Sequence, residues 1–382
     1  MRNFLLKQYA RDKKFKIRHN YLSDQFKDSK NIISKIINVV NYNDFTLGRY
    51  VDSLEKKFSK LIGSKYCIGV GSGTDAIFLS LKALGIKEGD EVITPTFSFY
   101  ATSGAIATTG AKPVFVDIKD DLNIDARLIE KKINKKTKAI VPVHWSGRIC
   151  DMKTIKKIAK KHSLFIVEDA CHAISAHDDK KKFAGTFGDT GCFSFHPLKN
   201  LNVWGDGGII VTNSSRLNKK LKLLRNHGLS GRNNCDIYGY NSRLDTIQAV
   251  VAIEMLKKIK HITKSRIDNA LFLNKELSKI NGIKVIKEPE KFKSVFHLYQ
   301  FYSNKRNALN KYLHSKGIDS KIHYPIPLHL HKSAKIYKYK KGDFRVAEEL
   351  TKKVISLPVH EFINKKQLSY MVDCIKKFHY EN

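Results

Sequence analysis

Residues 193–201, FSFHPLKNL, set Lys199 behind Ser194 and the pair His196-Pro197, with the glycines Gly207 and Gly208 following. A lysine amine is a nucleophile that condenses with aldehydes. In a chain with 70 lysines and arginines a surface lysine can have such neighbours by chance, so the surroundings decide. VEDACHA, residues 167–173, places Glu168 and Asp169 at the carboxyl end of an apolar run, where open α/β sheets bind ligands. A carboxylate there either keeps a pyridinium nitrogen protonated or caps the next helix. His172, three residues on, either hydrogen-bonds a ligand or sits satisfied in a turn. GVGSGTDAI, residues 69–77, follows one apolar run and opens a helix, so its amides converge as a phosphate site requires. A tight glycine turn has steric uses of its own, and no GK[ST] follows, which excludes a Walker loop. PTFSFYATS, residues 95–103, offers Phe97, Phe99 and Tyr100 for stacking on a planar ring or for core packing. Asn241 and Arg243, in GYNSRLDTIQA, stand at the mouth of a long helix as caps or as ligand contacts. Together these runs hold an amine, an acid, a stacking aromatic, a phosphate cradle and a hydroxyl. That is the inventory pyridoxal phosphate needs.

The elements that must position these groups alternate along the chain. From about Tyr66 to Thr212, the apolar runs YCIGV, EVITP, PVFVD, KAIVPV, LFIVED, TGCFSF and GGIIVT are interleaved with helical segments from Asp75, about Ser98 and Asp151. This predicts an α/β domain with a mostly parallel sheet covered by helices on both faces. Residues 214–228 and 243–280 read as helices, the second with Leu244, Ile247, Val251, Met255 and Ile259 at helical spacing. Beyond about residue 282 come VFHLYQFY, a helix over 304–316, the loop HYPIPLHLH and helices from about Asp343 and Asn364, which predict a smaller C-terminal α+β domain. The expected division is 1–255, comprising a mostly helical N-terminal 65 residues and the large domain, and 256–382, the small one. No internal repeat is visible.

Composition bounds the class. The chain has 382 residues, 42% hydrophobic and 10% aromatic, within the range of folded proteins. The formal charge of +34 is spread as pairs such as Lys56-Lys57 and Lys219-Lys220, without an arginine-rich block, so no nucleic-acid partner is expected. Such a field still attracts phosphorylated substrates. The six cysteines form no C-x-x-C pair, so no metal site or disulfide framework is expected. The N-terminus lacks the apolar core of a signal peptide and no run reaches about 18 apolar residues, which predicts a cytoplasmic protein with no membrane partner.

The chain resembles the DegT/DnrJ/EryC1/StrS family of sugar-nucleotide aminotransferases, which have fold type I, the aspartate-aminotransferase fold. The likeness spans about residues 40–375 and rests on DFTLGRYVDSLEKKF, GSGTDAIFLSLKALGIKEGDEVITPTFSFYATSGAI, VEDACHA, FSFHPLKNL, GDGGIIVT, LRNHG, GYNSRLDTIQA, KIHYPIPLHL and SLPVH in that order. The resemblance implies pyridoxal 5'-phosphate as cofactor, with pyridoxamine 5'-phosphate as the form that carries the amine. It makes Lys199 the cofactor-bonding, proton-shuttling lysine and Asp169 the partner of the pyridine nitrogen. His172 falls where the family often has a glutamine facing the phenolic oxygen, and Phe99 at the stacking aromatic. Gly73, Thr74 and the Asp75 amide match the phosphate turn, with Ser194 adding a hydroxyl. Asn241 matches an asparagine that reaches the phosphate from the neighbouring subunit, implying a homodimer with shared active sites. Phe45, Thr46, Arg232, Tyr324 and His329 are implied near the substrate, a keto sugar on a nucleoside diphosphate. L-glutamate is the implied donor and leaves as 2-oxoglutarate, and the amino sugar would serve a surface glycan such as lipopolysaccharide or a glycosylated metabolite. HWSGRICDM, residues 144–152, and Trp204 depart from the commonest family wording. A sugar dehydratase of the same fold has histidine in place of the lysine, so Lys199 speaks against it. A non-catalytic regulator of this fold would not need the intact lysine, acid and phosphate set.

Overall fold

Short apolar runs between turn residues become the strands of one central sheet. The computed structural model describes residues 15–288 and 291–381. In chain order the strands are β1 (Tyr66–Val70), β2 (Glu91–Pro95), β3 (Lys112–Val116), β4 (Thr137–Ile140), β5 (Phe165–Asp169), the brief β6 (His177–Asp178), β7 (Thr190–Ser194) and β8 (Gly208–Thr212). All but β6 join a seven-stranded sheet in the order β1-β8-β7-β5-β4-β2-β3. From β7 through β5, β4 and β2 to β3 the pairs are parallel, while β8 is antiparallel to both β1 and β7. The reversal has a local cause, because the link over residues 195–207 holds no crossover helix and turns the chain straight back. Lys199 sits on that link.

Helices α1 (Lys30–Asn41), α2 (Arg49–Ile62), α3 (Gly73–Ala83), α4 (Tyr100–Thr108), α5 (Met152–Lys161), α6 (Ser215–Leu224) and α7 (Thr246–Leu277) accompany this sheet. Apolar positions recur at helical spacing, as with the buried Val51, Leu54, Phe58 and Ile62 of α2. α6 ends before the expected residue 228, and the chain then turns through Gly228 at φ 81°, where a Cβ would meet the Ile237 carbonyl oxygen at 1.5 Å. Only glycine fits such a turn. α7 packs Ala249, Val250, Met255 and Ile259 into the core of the large sheet and Ala270, Leu273 and Leu277 into a second core. The 255/256 division falls inside this one helix.

The hairpin β9 (Leu229–Gly231) and β10 (Asn234–Cys235) precedes α7. After it, β11 (Ile283–Val285) is followed by β12 (Phe292–Lys293), which pairs with β6. β13 (Tyr299–Ser303) and β14 (Val354–Leu357) join β11 in a three-stranded antiparallel sheet, accompanied by α8 (Arg306–Ser315), α9 (Arg345–Lys353) and α10 (Lys365–Glu381). Residues 15–21 run as an arm rather than a helix: buried Ile17 bridges Ile318, and its carbonyl accepts from the Asp319 amide at 2.8 Å. The helical expectation for residues 1–14 lies outside the described residues. Among the described residues no helix is long and apolar enough to cross a membrane.

Candidate active site

The start of α3 forms one wall of a cavity of about 300 Å³, within the roughly 300–1,000 Å³ of small-molecule sites. Ser72 caps the helix, its Oγ accepting from the Asp75 amide at 3.0 Å. The Asp75 amide is donated to this cap, and Asp75 is not among the residues that line the cavity. Gly73 and Thr74 do line it, and the first amides of a helix have no acceptor within it. A Cβ at Gly73 would stand 2.6 Å from the Ser194 Cβ and 3.0 Å from the Cys171 Sγ, so only glycine lets the turn close over Ser194. The Asp75 carboxylate instead accepts from the Ser242 hydroxyl at 2.8 Å, tying the turn to the segment before α7.

Lys199 is held by its backbone: its amide donates to the His196 carbonyl at 2.8 Å, and the Tyr21 hydroxyl donates to its carbonyl at 3.2 Å. Burial pulls the Lys199 amine below its ordinary pKa, against opposing pulls from Cys171 and Asp169. β5 delivers Asp169 to the cavity at 5% exposure. Its Oδ2 accepts from the Thr102 hydroxyl at 2.8 Å and its Oδ1 from the Cys171 amide at 3.2 Å. With the Thr102 proton so used, the Ser98 hydroxyl donates to the Thr102 Oγ1 at 2.7 Å. Glu168, one residue earlier, points to the other face of the sheet. There it accepts from the His144 Nε2 and the Gly185 amide at 2.8 Å and from the Phe187 and Gly188 amides at 2.6 Å.

His172 lies between the rings of Trp145 and His297, with centroids 4.9 and 4.2 Å away. Its Nδ1 accepts from the Ser146 amide at 3.3 Å. Burial, then Lys199 and His323, push its pKa well down, so the ring is neutral with its proton on Nε2. Phe99 lines the mouth at 43% exposure, with Tyr100 and Tyr324 at ring distances of 4.7 and 5.8 Å.

Thus Gly73, Thr74, Phe99, Asp169, His172, Ser194, Lys199 and Tyr324 meet at one cavity. His329 does not: its Nδ1 bonds the Thr96 hydroxyl at 2.7 Å and its Nε2 the Glu348 carboxylate at 3.1 Å, leaving no ring nitrogen for a ligand. Phe45, Thr46, Arg232 and Asn241 are exposed and also lie outside the cavity of their own chain. Sequence reasoning missed His19, Tyr21, Thr102, Arg266, His297, His323 and His360 on its walls. Only Thr102, one helical turn after Phe99 in the same motif, had a local signal.

The chain belongs to the DegT/DnrJ/EryC1/StrS aminotransferase family, pyridoxal-phosphate-dependent enzymes that aminate sugar nucleotides; residues 27–376 match it. It is 39% identical to a pleiotropic regulatory protein of Geobacillus stearothermophilus, covering 94% of this chain and 97% of that one. It is 38% identical to a UDP-N-acetyl-3-dehydro-α-D-glucosamine 3-aminotransferase of Acidithiobacillus ferrooxidans, covering 91% of this chain and 93% of that one. The fold matches S. venezuelae DesV, solved in complex with a ketimine intermediate, at a TM-score of 0.91 and 32% identity, covering 94% of this chain and 97% of that one.

Proposed function

We propose that the protein moves an amino group from L-glutamate to the ketone of a sugar carried on a nucleoside diphosphate, with pyridoxal 5'-phosphate as cofactor. One observation carries this reading: a buried lysine, a hydrogen-bonded carboxylate, a helix N-terminus and a hydroxyl line a single cavity. The residues fit the cofactor, because the bare Cα of Gly73 lets the start of α3 close against Ser194, so that helix amides with no acceptor in the helix and a hydroxyl face the cavity that Lys199 and Asp169 share. The Gly73 and Thr74 amides and the Ser194 hydroxyl would hold its phosphate. Asp169, oriented by Thr102, would hold the pyridine N–H, His172 would offer its Nε2 proton to the phenolic oxygen, and Phe99 would stack on the ring. Bound there, the cofactor supplies an aldehyde for the amine and a ring that takes up electrons. Lys199 Nζ, kept more readily neutral by burial, takes the proton from the α-carbon of glutamate and later delivers one to the aminated sugar carbon.

Asn241, exposed and outside its own cavity, is assigned to the phosphate of a second copy, making the protein a homodimer with shared sites. Phe45, Thr46 and Arg232 are assigned to the sugar nucleotide from the same interface, and Tyr324 from within the chain. Free thiols at all six cysteines fit a reducing cytoplasm.

The test is to add L-glutamate to the loaded enzyme and follow the cofactor's visible absorbance. A panel of 3-keto and 4-keto nucleotide sugars follows, starting with the UDP-N-acetyl-3-keto-hexose that the Acidithiobacillus relative's name specifies, with products identified by mass and NMR. Water loss from the sugar without a response to glutamate would replace transfer by dehydration. The name of the Geobacillus relative favours a second reading, a regulator that keeps the cofactor without turnover. That reading requires no aminated product from any sugar.

A further inference from the structure

A second group of polar side chains lines the same cavity and has no part in the roles above: His19, Arg266, His297, His323 and His360. Arg266 projects from α7 and is 2% exposed. Its Nη1 donates to the carbonyls of Phe296 and His297, each at 3.3 Å. Among the described residues its Nε and Nη2 have no hydrogen-bond partner. The Glu361 Oε2 stands 3.9 Å from Nε, beyond hydrogen-bond reach, and it too lacks a partner. Nε and Nη2 form one edge of the planar guanidinium, the kind of edge a carboxylate grips with two parallel hydrogen bonds. Leaving such donors bare inside a protein is costly, and a ligand that fills them removes the cost.

Two more buried atoms on this wall are also bare, Nδ1 of His19 and Nδ1 of His297. The wall is close to the chemistry. Tyr21 lies with its ring 5.2 Å from the Arg266 guanidinium while its hydroxyl bonds the Lys199 carbonyl, and the His297 ring packs tilted against His172 at 4.2 Å. An amino acid that presents its amine at Lys199 brings at least one carboxylate into the same space, and the phosphate cradle is already assigned. We infer that the Nε–Nη2 edge of Arg266, flanked by His297 and by His19 of the N-terminal arm, is the subsite for a carboxylate of the amino donor. Glu361 is then a competitor that the donor carboxylate displaces. The inference rests on the aminotransferase reading above.

The experiment uses the loaded enzyme without sugar. Glutarate, a dicarboxylate with no amine, is titrated by calorimetry, and the L-glutamate concentration at half-saturation is read from the cofactor absorbance. Arg266→Gln weakens both by about 100-fold, and Arg266→Lys, a point charge without the fork, by about 10-fold. Glu361→Gln tightens both several-fold, whereas loss of a merely structural ion pair would lower stability and leave glutarate unchanged or weaker. Reaction with n-butylamine, which has no carboxylate, is the same in wild type and Arg266→Gln. Glutarate affinity within two-fold of wild type in Arg266→Gln overturns the inference, as does an equal loss with butylamine. If neither glutamate nor butylamine alters the wild-type absorbance, the aminotransferase reading fails instead, while glutarate binding still decides the subsite.

Discussion

The two polar walls of the cavity are built differently. On the cradle wall, Gly73, Thr74, Asp169, Ser194 and Lys199 sit at strand ends or immediately beyond them. Their polar neighbours are largely satisfied, as in the Ser98–Thr102–Asp169 chain and the Ser72–Asp75 cap. On the arginine wall, His19 comes from the arm, Arg266 from the middle of α7, and His297, His323 and His360 from the chain around the small sheet. Donors there are left bare. The cradle is prepared for a resident group; the other wall is open to something that comes and goes.

Variants that break one wall and spare the other sharpen this contrast. The largest effect is expected from Lys199→Ala, which removes the amine assigned to the cofactor's aldehyde and to proton transfer. Amine transfer should fall by at least about 1,000-fold, while circular dichroism and glutarate affinity stay at wild-type values. Gly73→Val comes next. Its Cβ would lie 2.6 Å from the Ser194 Cβ, so overpacking should cost about 1–3 kcal/mol and cofactor affinity should drop more than about 10-fold. Calorimetry with glutarate checks that the arginine wall is untouched, and equal damage to both would erase the distinction.

Acid acts on the buried histidines of the cavity, those of the arginine wall among them. Burial holds the pKa values of His19, His323 and His360 down to about 3. Unfolded, these rings titrate near 6.5, so between pH 6.5 and about 3 the unfolded chain binds protons that the folded one refuses. Stability therefore falls as pH drops through that window, by up to about 2 kcal/mol per ring at pH 5. Urea midpoints at pH 7.5 and pH 5 measure it, and His360→Gln should flatten the dependence; coincident midpoints would mean that the rings are hydrated. The smallest effect is Thr102→Val, which keeps the shape but removes the bond to Asp169. About 1 kcal/mol of stability and a few-fold of cofactor affinity should be lost, read by thermal denaturation and by titration of pyridoxal phosphate.

Legibility followed the same line. Glu168 and Asp169 are adjacent acids in one motif, and the pleat of β5 sends the second to the cavity and the first to His144 and three amides. In HYPIPLHLH three histidines compete for attention. Packing aims His323 and Tyr324 at the cavity and wedges His329 between Thr96 and Glu348. Asp75 was recognisable as part of the turn, but which amide its cap would consume depends on the rotamer of Ser72.

By itself the sequence determined the alternation of strands and helices, the glycine turn at α3 and the lysine, acid and hydroxyl at strand ends. These follow from periodicity and backbone sterics within a few residues. Tertiary structure alone decided that the arm at residues 15–21, the middle of α7 and the chain around the three-stranded sheet would close the other wall. Contacts such as Tyr21 with Lys199 and Arg266 with Phe296 join residues far apart in the chain. No local pattern encodes them, because their energy is realised only when separately folded pieces pack.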